Sequence, residues 1–179
     1  MTKVGAIDIR PLDAVEASQR IDAFCEILMA CVEGGASIGF LSPVSREQAA
    51  AYWLEIFAQV RTRGLVLLGA FLGDKLVGTV QIKPEGRPNG RHRVDVSKLL
   101  VVLTARRKGV GRALMEELEA IARSAGRTLA ILDTRTGDPS EKLYLSMGYK
   151  AFGVVPRYAR DPDGTKLADC TFMYKELER

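Results

Sequence analysis

The chain has 179 residues, of which 47% are hydrophobic and 27% charged, the make-up of one globular domain able to bury a real core. A formal charge of +4 is too mild to imply nucleic acid by itself and suits an anionic ligand. Three cysteines with no C-x-x-C spacing exclude a disulfide framework, and the single histidine, His92, excludes a multi-histidine metal site and leaves a Ser-His-Asp triad little to rest on.

At the amino end, Met1 to Val4 leads straight into polar sequence without the apolar core of a secretory signal, so a cytoplasmic location is expected. Ile7 and Ile9 flank Asp8 ahead of Pro11 and read as a short strand. Asp13 to Val32 reads as a helix whose stripe is Ile21, Phe24, Ile27, Leu28 and Cys31, ending before Gly34-Gly35. A Gly- and Ser-rich loop follows to Pro43. Ser45-Arg46-Glu47-Gln48 then forms a capping box that opens a helix carrying Trp53, Ile56, Phe57 and Val60 and ending near Gly64. Leu65–Leu72 and Lys75–Ile82 are β-rich runs joined through Gly73-Asp74, a hairpin signal, and neither is long enough to span a bilayer.

Arg87-Pro88-Asn89-Gly90 turns the chain into a strand over Arg93 to Leu103. Val94 and Val96 alternate there with Asp95 and Ser97 before the run becomes continuously apolar, which predicts a half-exposed start and a buried end. Val110 to Ala125 has helical periodicity with Val110, Leu114, Leu118 and Ile121 on one face. Leu129 to Leu132 is a short strand ending in Asp133, and Ser140 to Met147 a short helix closed by Gly148. Phe152–Val155 and Cys170–Tyr174 are the last strands, separated by a polar loop containing Pro162-Asp163-Gly164. The order β-α-α-β-β-β-α-β-α-β-β describes one mixed α/β domain over residues 1–179, with no repeat or linker.

The stretch richest in chemical information is Arg106-Arg107-Lys108-Gly109-Val110-Gly111-Arg112, between the apolar strand and the helix. A Gly-rich turn at a helix start presents unpaired backbone N–H groups and a partial positive charge, and the cationic side chains make the place suitable for a phosphate or pyrophosphate. The competing reading is an ordinary strand–turn–helix with a solvated basic face. It is not a P-loop, and Leu114 stands where a G-x-G-x-x-G dinucleotide fingerprint needs its last glycine.

With Arg106, Gly109 and Gly111 the turn resembles the [R/Q]-x-x-G-x-[G/A] acyl-CoA signature of the GNAT acetyltransferases. Leu143-Tyr144 followed by Gly148-Tyr149 resembles a second motif of that family, and Leu99-Leu100-Val101 its splayed strand. The resemblance covers nearly the whole chain. It implies the GNAT acyl-CoA N-acyltransferase fold: a central mixed sheet splayed between strands 4 and 5 and flanked by about four helices, with acetyl-CoA as cofactor. A narrower likeness, to a toxin-resistance branch that acetylates the amino group of a small β-lactam amino acid, rests on Gly34–Phe40, Arg87–Gly90, Val94–Leu99, Asp133-Thr134 and Pro162–Gly164. The chain departs from the family pattern at Leu103, where a proline is usual, at Gly137, where many members carry an asparagine that contacts pantetheine, and at Asp95, where a glutamate is expected.

These matches imply a cradle of Arg106, Arg107, Lys108, Gly109, Val110, Gly111 and Arg112 for the pyrophosphate. Leu99, Leu100 and Val101 would hold pantetheine by their main chain, and Ser140 and Tyr144 would add contacts. Acyl transfer from a thioester to an amine also needs an acid for the leaving thiolate and a base for the incoming ammonium. Tyr144, with an ordinary tyrosine pKa near ~10, is the candidate acid, against the alternative of a plain core tyrosine. Asp95 and Asp133 are candidate bases, the competing reading being that either pairs with Arg93, Lys98 or Arg135 in a surface network. Gly35, Ser37 and Phe40 on one irregular segment, and Arg157 and Asp169 on the other, are expected to wall the acceptor.

The expected partner is a small-molecule amine, amino-acid-like or antibiotic-like, with no metal, nucleic acid or membrane; the quaternary state is open, a homodimer included. A protein or peptide acetyltransferase and a catalytically silent acyl-CoA-binding regulator are the rival readings.

Overall fold

The computed structural model describes residues 7–177; Met1 to Ala6, which include the segment read for a signal, lie outside the described residues. In chain order the elements are β1 (Ile7–Leu12), α1 (Ala14–Gln19), α2 (Ile21–Glu33), α3 (Arg46–Arg61), β2 (Val66–Leu72), β3 (Lys75–Pro84), β4 (Arg93–Val101), α4 (Val110–Ser124), β5 (Leu129–Arg135), α5 (Pro139–Ser146), β6 (Lys150–Arg160) and β7 (Leu167–Glu176). The strands make one sheet in the order β1-β2-β3-β4-β5-β7-β6, antiparallel except for the β4–β5 pair. No helix among the described residues is long and apolar enough to cross a membrane.

The sheet is covered on both faces. On one, Val110, Leu114, Met115 and Leu118 of α4 pack on Leu68, Val80, Ile82, Val94 and Val96. On the other, Phe24 and Leu28 of α2 and Trp53 and Phe57 of α3 pack on Leu67, Phe71, Leu76 and Leu100, with the Phe24 and Trp53 rings 4.6 Å apart. Alternation along the strands feeds the two cores in turn. The capping box at the start of α3 forms as predicted, with Ser45 Oγ accepting from the Gln48 N–H and the Gln48 side chain accepting from the Ser45 N–H.

Three expectations change. The helix predicted over Asp13 to Val32 is two helices, α1 and α2, broken at Arg20 (φ −109, ψ 16). The Arg20 N–H bonds back to Ala17 O in a tight turn, and its guanidinium lies over the Phe71 ring, 5.0 Å from the centroid. The last two strands run well past Phe152–Val155 and Cys170–Tyr174. The supposed irregular segment from Arg157 to Asp169 is largely a hairpin: pairing lapses after Val155↔Cys170, resumes at Ala159↔Ala168 and Arg160↔Leu167, and closes in a turn where the Asp161 N–H donates to Lys166 O at 2.8 Å. Pro156, inside the register irregularity between Val155 and Ala159, hides this strand in the sequence.

The third change lies in β4. Its register against β3 slips between Gln81↔Ser97 and Thr79↔Leu100, so β4 carries one extra residue around Lys98. The slip reverses the side-chain phase: Val94 and Val96 face the α4 core, whereas Leu100 faces the α2–α3 core. The change from alternation to a continuous apolar run therefore marks a bulge, and the expected buried end does not form: of Leu99 to Leu103 only Leu100 is buried. The strand stops at Val101, and Leu103, exposed, opens a short 3-10 turn to Ala105.

Candidate active site

The β4–β5 pairing covers only Arg93↔Leu129, Val94↔Ala130 and Asp95↔Ile131. Beyond it β4 stays with β3 while β5 pairs with β7, and the two strands part. The gap is a cleft of about 850 Å³ running from the start of α4, along the free edge of β4, to the end of β5 and the β6–β7 hairpin.

At the α4 end, Gly109 is the N-cap in the left-handed conformation (φ 83), and no side chain caps the helix. The amides of its first turn are thus left for a ligand. A side chain at Gly109 would meet nothing within 4 Å, and one at Gly111 would stand 3.4 Å from Leu143. Arg106, Arg107, Gly109, Val110, Gly111 and Arg112 all line this end; Lys108 does not. Arg106 folds back, its Nε donating to Val101 O at 3.1 Å, and Arg112 donates to Ser146 Oγ at 2.7 Å. Leu99, Leu100 and Val101 line the middle of the cleft along β4. Ser140 lines it from α5, its hydroxyl 2.8 Å from that of Thr134.

At the far end stand Asp133 and Tyr144. Tyr144 is 6% exposed and packs on Tyr149; burial, with the Asp133 charge adding to it, holds its pKa above the ordinary tyrosine value. Cys170 donates its S–H to Asp133 Oδ2 at 3.4 Å, and burial followed by the same carboxylate pushes its thiol up to about 12. Asp133 makes no ion pair among the described residues. Arg93 is engaged by Glu85 at 2.7 Å, and Arg135 by Asp138 and Asp161, so the surface network expected to absorb a carboxylate is built from other partners.

The other expected site residues divide. Gly35, Ser37 and Asp169 line the cleft. Asp95 is exposed and is not among the lining residues, so the structure does not bring it to Asp133 and Tyr144. Phe40 packs edge-on against Tyr52, 5.3 Å between centroids, and is not among the lining residues. Arg157 is likewise outside, its N–H donating to Asp169 Oδ1 at 2.8 Å. His92 is exposed, away from the cleft.

Sequence reasoning missed Lys98 and Tyr158 as lining residues, and the tie that Arg135 makes between the two walls. Arg135 donates to Gly35 O at 3.0 Å and to Asp161 at 2.9 Å, and Ser42 N donates to Pro162 O at 2.7 Å. A cation inside an apolar strand run was the available signal for Lys98. Among the described residues no cluster of His, Cys, Asp or Glu gathers as metal ligands.

The sequence profile of the Acetyltransferase (GNAT) family matches residues 21–149. The rat protein N-acetyltransferase 8B (Rattus norvegicus) is 34% identical over 83 residues, 45% of this chain and 37% of that protein, so the match spans little more than a third of that relative's length. Among solved structures, the ribosomal-protein-alanine N-acetyltransferase of Brucella melitensis is 26% identical with a TM-score of 0.76, over 95% of this chain and 99% of that one. YncA of Salmonella typhimurium, solved with its cofactor acetyl-CoA, is 23% identical with a TM-score of 0.75, over 98% and 96% of the two chains, and supports the fold.

Proposed function

Since the chain belongs to the GNAT acetyltransferase family, we propose that it is an N-acetyltransferase moving the acetyl group of acetyl-CoA to a primary amine of a small molecule, by direct transfer in a ternary complex. The observation that carries this reading is the continuity of the cleft, from uncapped α4 amides at one end to Tyr144 and Asp133 at the other.

The α4 end fits a pyrophosphate: free amides, a helix dipole, cationic Arg106, Arg107 and Arg112, and open space over Gly109. Main-chain groups of Leu99 to Val101 would hold the pantetheine arm along β4. Acetyl-CoA, when bound, supplies an acetyl group on a thioester. Asp133 takes a proton from the acceptor ammonium. With Oδ2 occupied by the Cys170 thiol, Oδ1 is the oxygen left to receive it. Tyr144 Oη keeps its proton through neutral pH, as an unshifted tyrosine already would and as burial reinforces, and gives it to the departing sulfur. Asp133 is preferred to Asp95 as the base because it stands in the cleft and Asp95 does not.

The narrower likeness to the tabtoxin-resistance acetyltransferase supports an amino-acid-like acceptor and a role in toxin or antibiotic resistance. A peptide acceptor is the second reading, favoured by the similarity to a ribosomal-protein-alanine N-acetyltransferase. Against it, the Ser42–Pro162 and Arg135–Gly35 bonds tie the two cleft walls together where a peptide would need an open groove.

Calorimetry with acetyl-CoA and a thiol-release screen over amino acids, aminoglycosides and polyamines test the proposal. Gly109→Glu puts a carboxylate at the anion end and should abolish acetyl-CoA binding; unchanged affinity would falsify the cradle. Binding without thiol release for any amine would leave the regulator reading in place.

A further inference from the structure

Lys98 sits at the bulge of β4 with a positive φ of 53, a backbone region that costs a residue with a side chain about 1–2 kcal/mol. A glycine would occupy this position without strain. The lysine instead lines the cleft, with its ammonium between the Tyr52 ring and the lining residue Gly39. Nζ lies 5.8 Å from the Tyr52 ring centroid, and a Cβ added at Gly39 would stand 4.0 Å from it. Nζ has no hydrogen-bond or ion-pair partner among the described residues, although it feels the Asp133 charge, which offsets part of the downward pull of burial on its pKa. A half-buried cation that has a ring face beside it but no anion or hydrogen-bond acceptor, held at a strained position at a cleft, is poised for an anion.

We propose that Lys98 Nζ binds the carboxylate of the acceptor, so that the acceptor class is the amino carboxylates. This rests on the acetyltransferase reading. Asp133 and Lys98 then form opposite poles of the acceptor end, one for the ammonium to be acetylated and one for the carboxylate. A plain amine satisfies Asp133 and leaves Lys98 unpaired. An amino carboxylate satisfies both, and a site built for two charges rejects a ligand that lacks one.

The test compares amino acids with their decarboxylated amines in the thiol-release assay, for the wild type, Lys98→Met, Lys98→Arg and Lys98→Gly. The wild type should favour the amino acids in kcat/KM by about 10- to 100-fold, the range of a hydrogen bond to a charged group. Lys98→Met should lose that preference, mainly through the KM of the amino acid, and keep its rate on the decarboxylated amines; Lys98→Arg should recover part of the preference. Lys98→Gly relieves the positive φ, so it should fold and show the same loss of preference, which keeps the test valid should the methionine variant misfold.

Equal wild-type rates on amino acids and decarboxylated amines overturn the inference, as does an equal fall on both classes in the variants. A wild type that binds acetyl-CoA yet turns over no amine bearing a carboxylate overturns it too. Failure to bind acetyl-CoA in calorimetry instead sinks the acetyltransferase reading, which keeps the two failures apart.

Discussion

Tyr144 and Asp133 owe their candidate roles to surroundings that other groups of the same type lack. Asp95 ends the short stretch where β4 and β5 travel together and Asp133 stands two residues past its end on β5, and only Asp133 lies at the cleft with a thiol donating to it. Asp133→Asn should therefore cut turnover by about 10²-fold or more, while Asp95→Asn leaves rate and pH profile unchanged; the reverse result in steady-state kinetics would restore Asp95 as the base. Tyr144→Phe should lower turnover by a similar factor with acetyl-CoA affinity intact in calorimetry. Because its pKa is raised, Tyr144 should still hold its proton near pH 10, and loss of activity there belongs to another group. Away from the site, the buried Thr79 hydroxyl has no hydrogen-bond partner among the described residues. Thr79→Val should stabilise the fold by about 1 kcal/mol, seen as a Tm higher by ~2–4 °C. Asp133 and Tyr144 were legible in the sequence because strand ends and family motifs mark them. Phe40 and Arg157 were placed on the cleft wall by loop position, which does not tell which way a side chain faces.

At the scale of elements, the α4 turn and the order of strands and helices, apart from the break between α1 and α2, follow from hydrophobic periodicity, the Gly-rich turn and the capping residues. The bulge in β4 does not, because one extra residue changes the phase of a strand while leaving its composition apolar. The β6–β7 hairpin was hidden for a different reason: Pro156 and the charges around it imitate a loop, and only pairing with β7 makes a strand of them. That hairpin is also what Arg135 reaches from the end of β5, joining Asp138, Asp161 and the Gly35 carbonyl. Arg135→Met should release both cleft walls at once. Expected are a KM for the acceptor raised about tenfold, an unchanged affinity for acetyl-CoA and a stability lower by about 1–3 kcal/mol. If stability falls while the acceptor KM stays the same, the tie is structural and does not shape the acceptor end.

Over the whole molecule, several buried acids share one direction of shift. Burial pushes Tyr52 up to about 12 and Cys170 up to about 12, and raises Tyr144 and Tyr149 as well, with Glu119 adding to the shift of Tyr149. The folded chain thus holds these protons more tightly than the unfolded chain. Their contribution to stability is complete below the ordinary values, about 8.5 for cysteine and about 10 for tyrosine, and is lost as pH rises toward the folded ones. Urea unfolding should show stability falling with pH above ~9, and Tyr149→Phe should flatten the slope; a flat profile in the wild type would contradict the burial of these groups.

The other large-scale feature is the sheet end at β6, where Phe152, Val154, Val155 and Tyr158 are 43–59% exposed. Pro156 and two register irregularities blunt the strand edge against β-pairing, so its apolar side chains are the part left to make contact. A twofold contact with a second copy of the chain would bury the same patch on both subunits and leave no half of it uncovered. Were the chain a dimer through this patch, Phe152→Lys with Val154→Lys would shift its sedimentation to that of a monomer and leave turnover unchanged, since neither residue lines the cleft. A wild type that sediments as a monomer at all concentrations would remove the second copy from the picture.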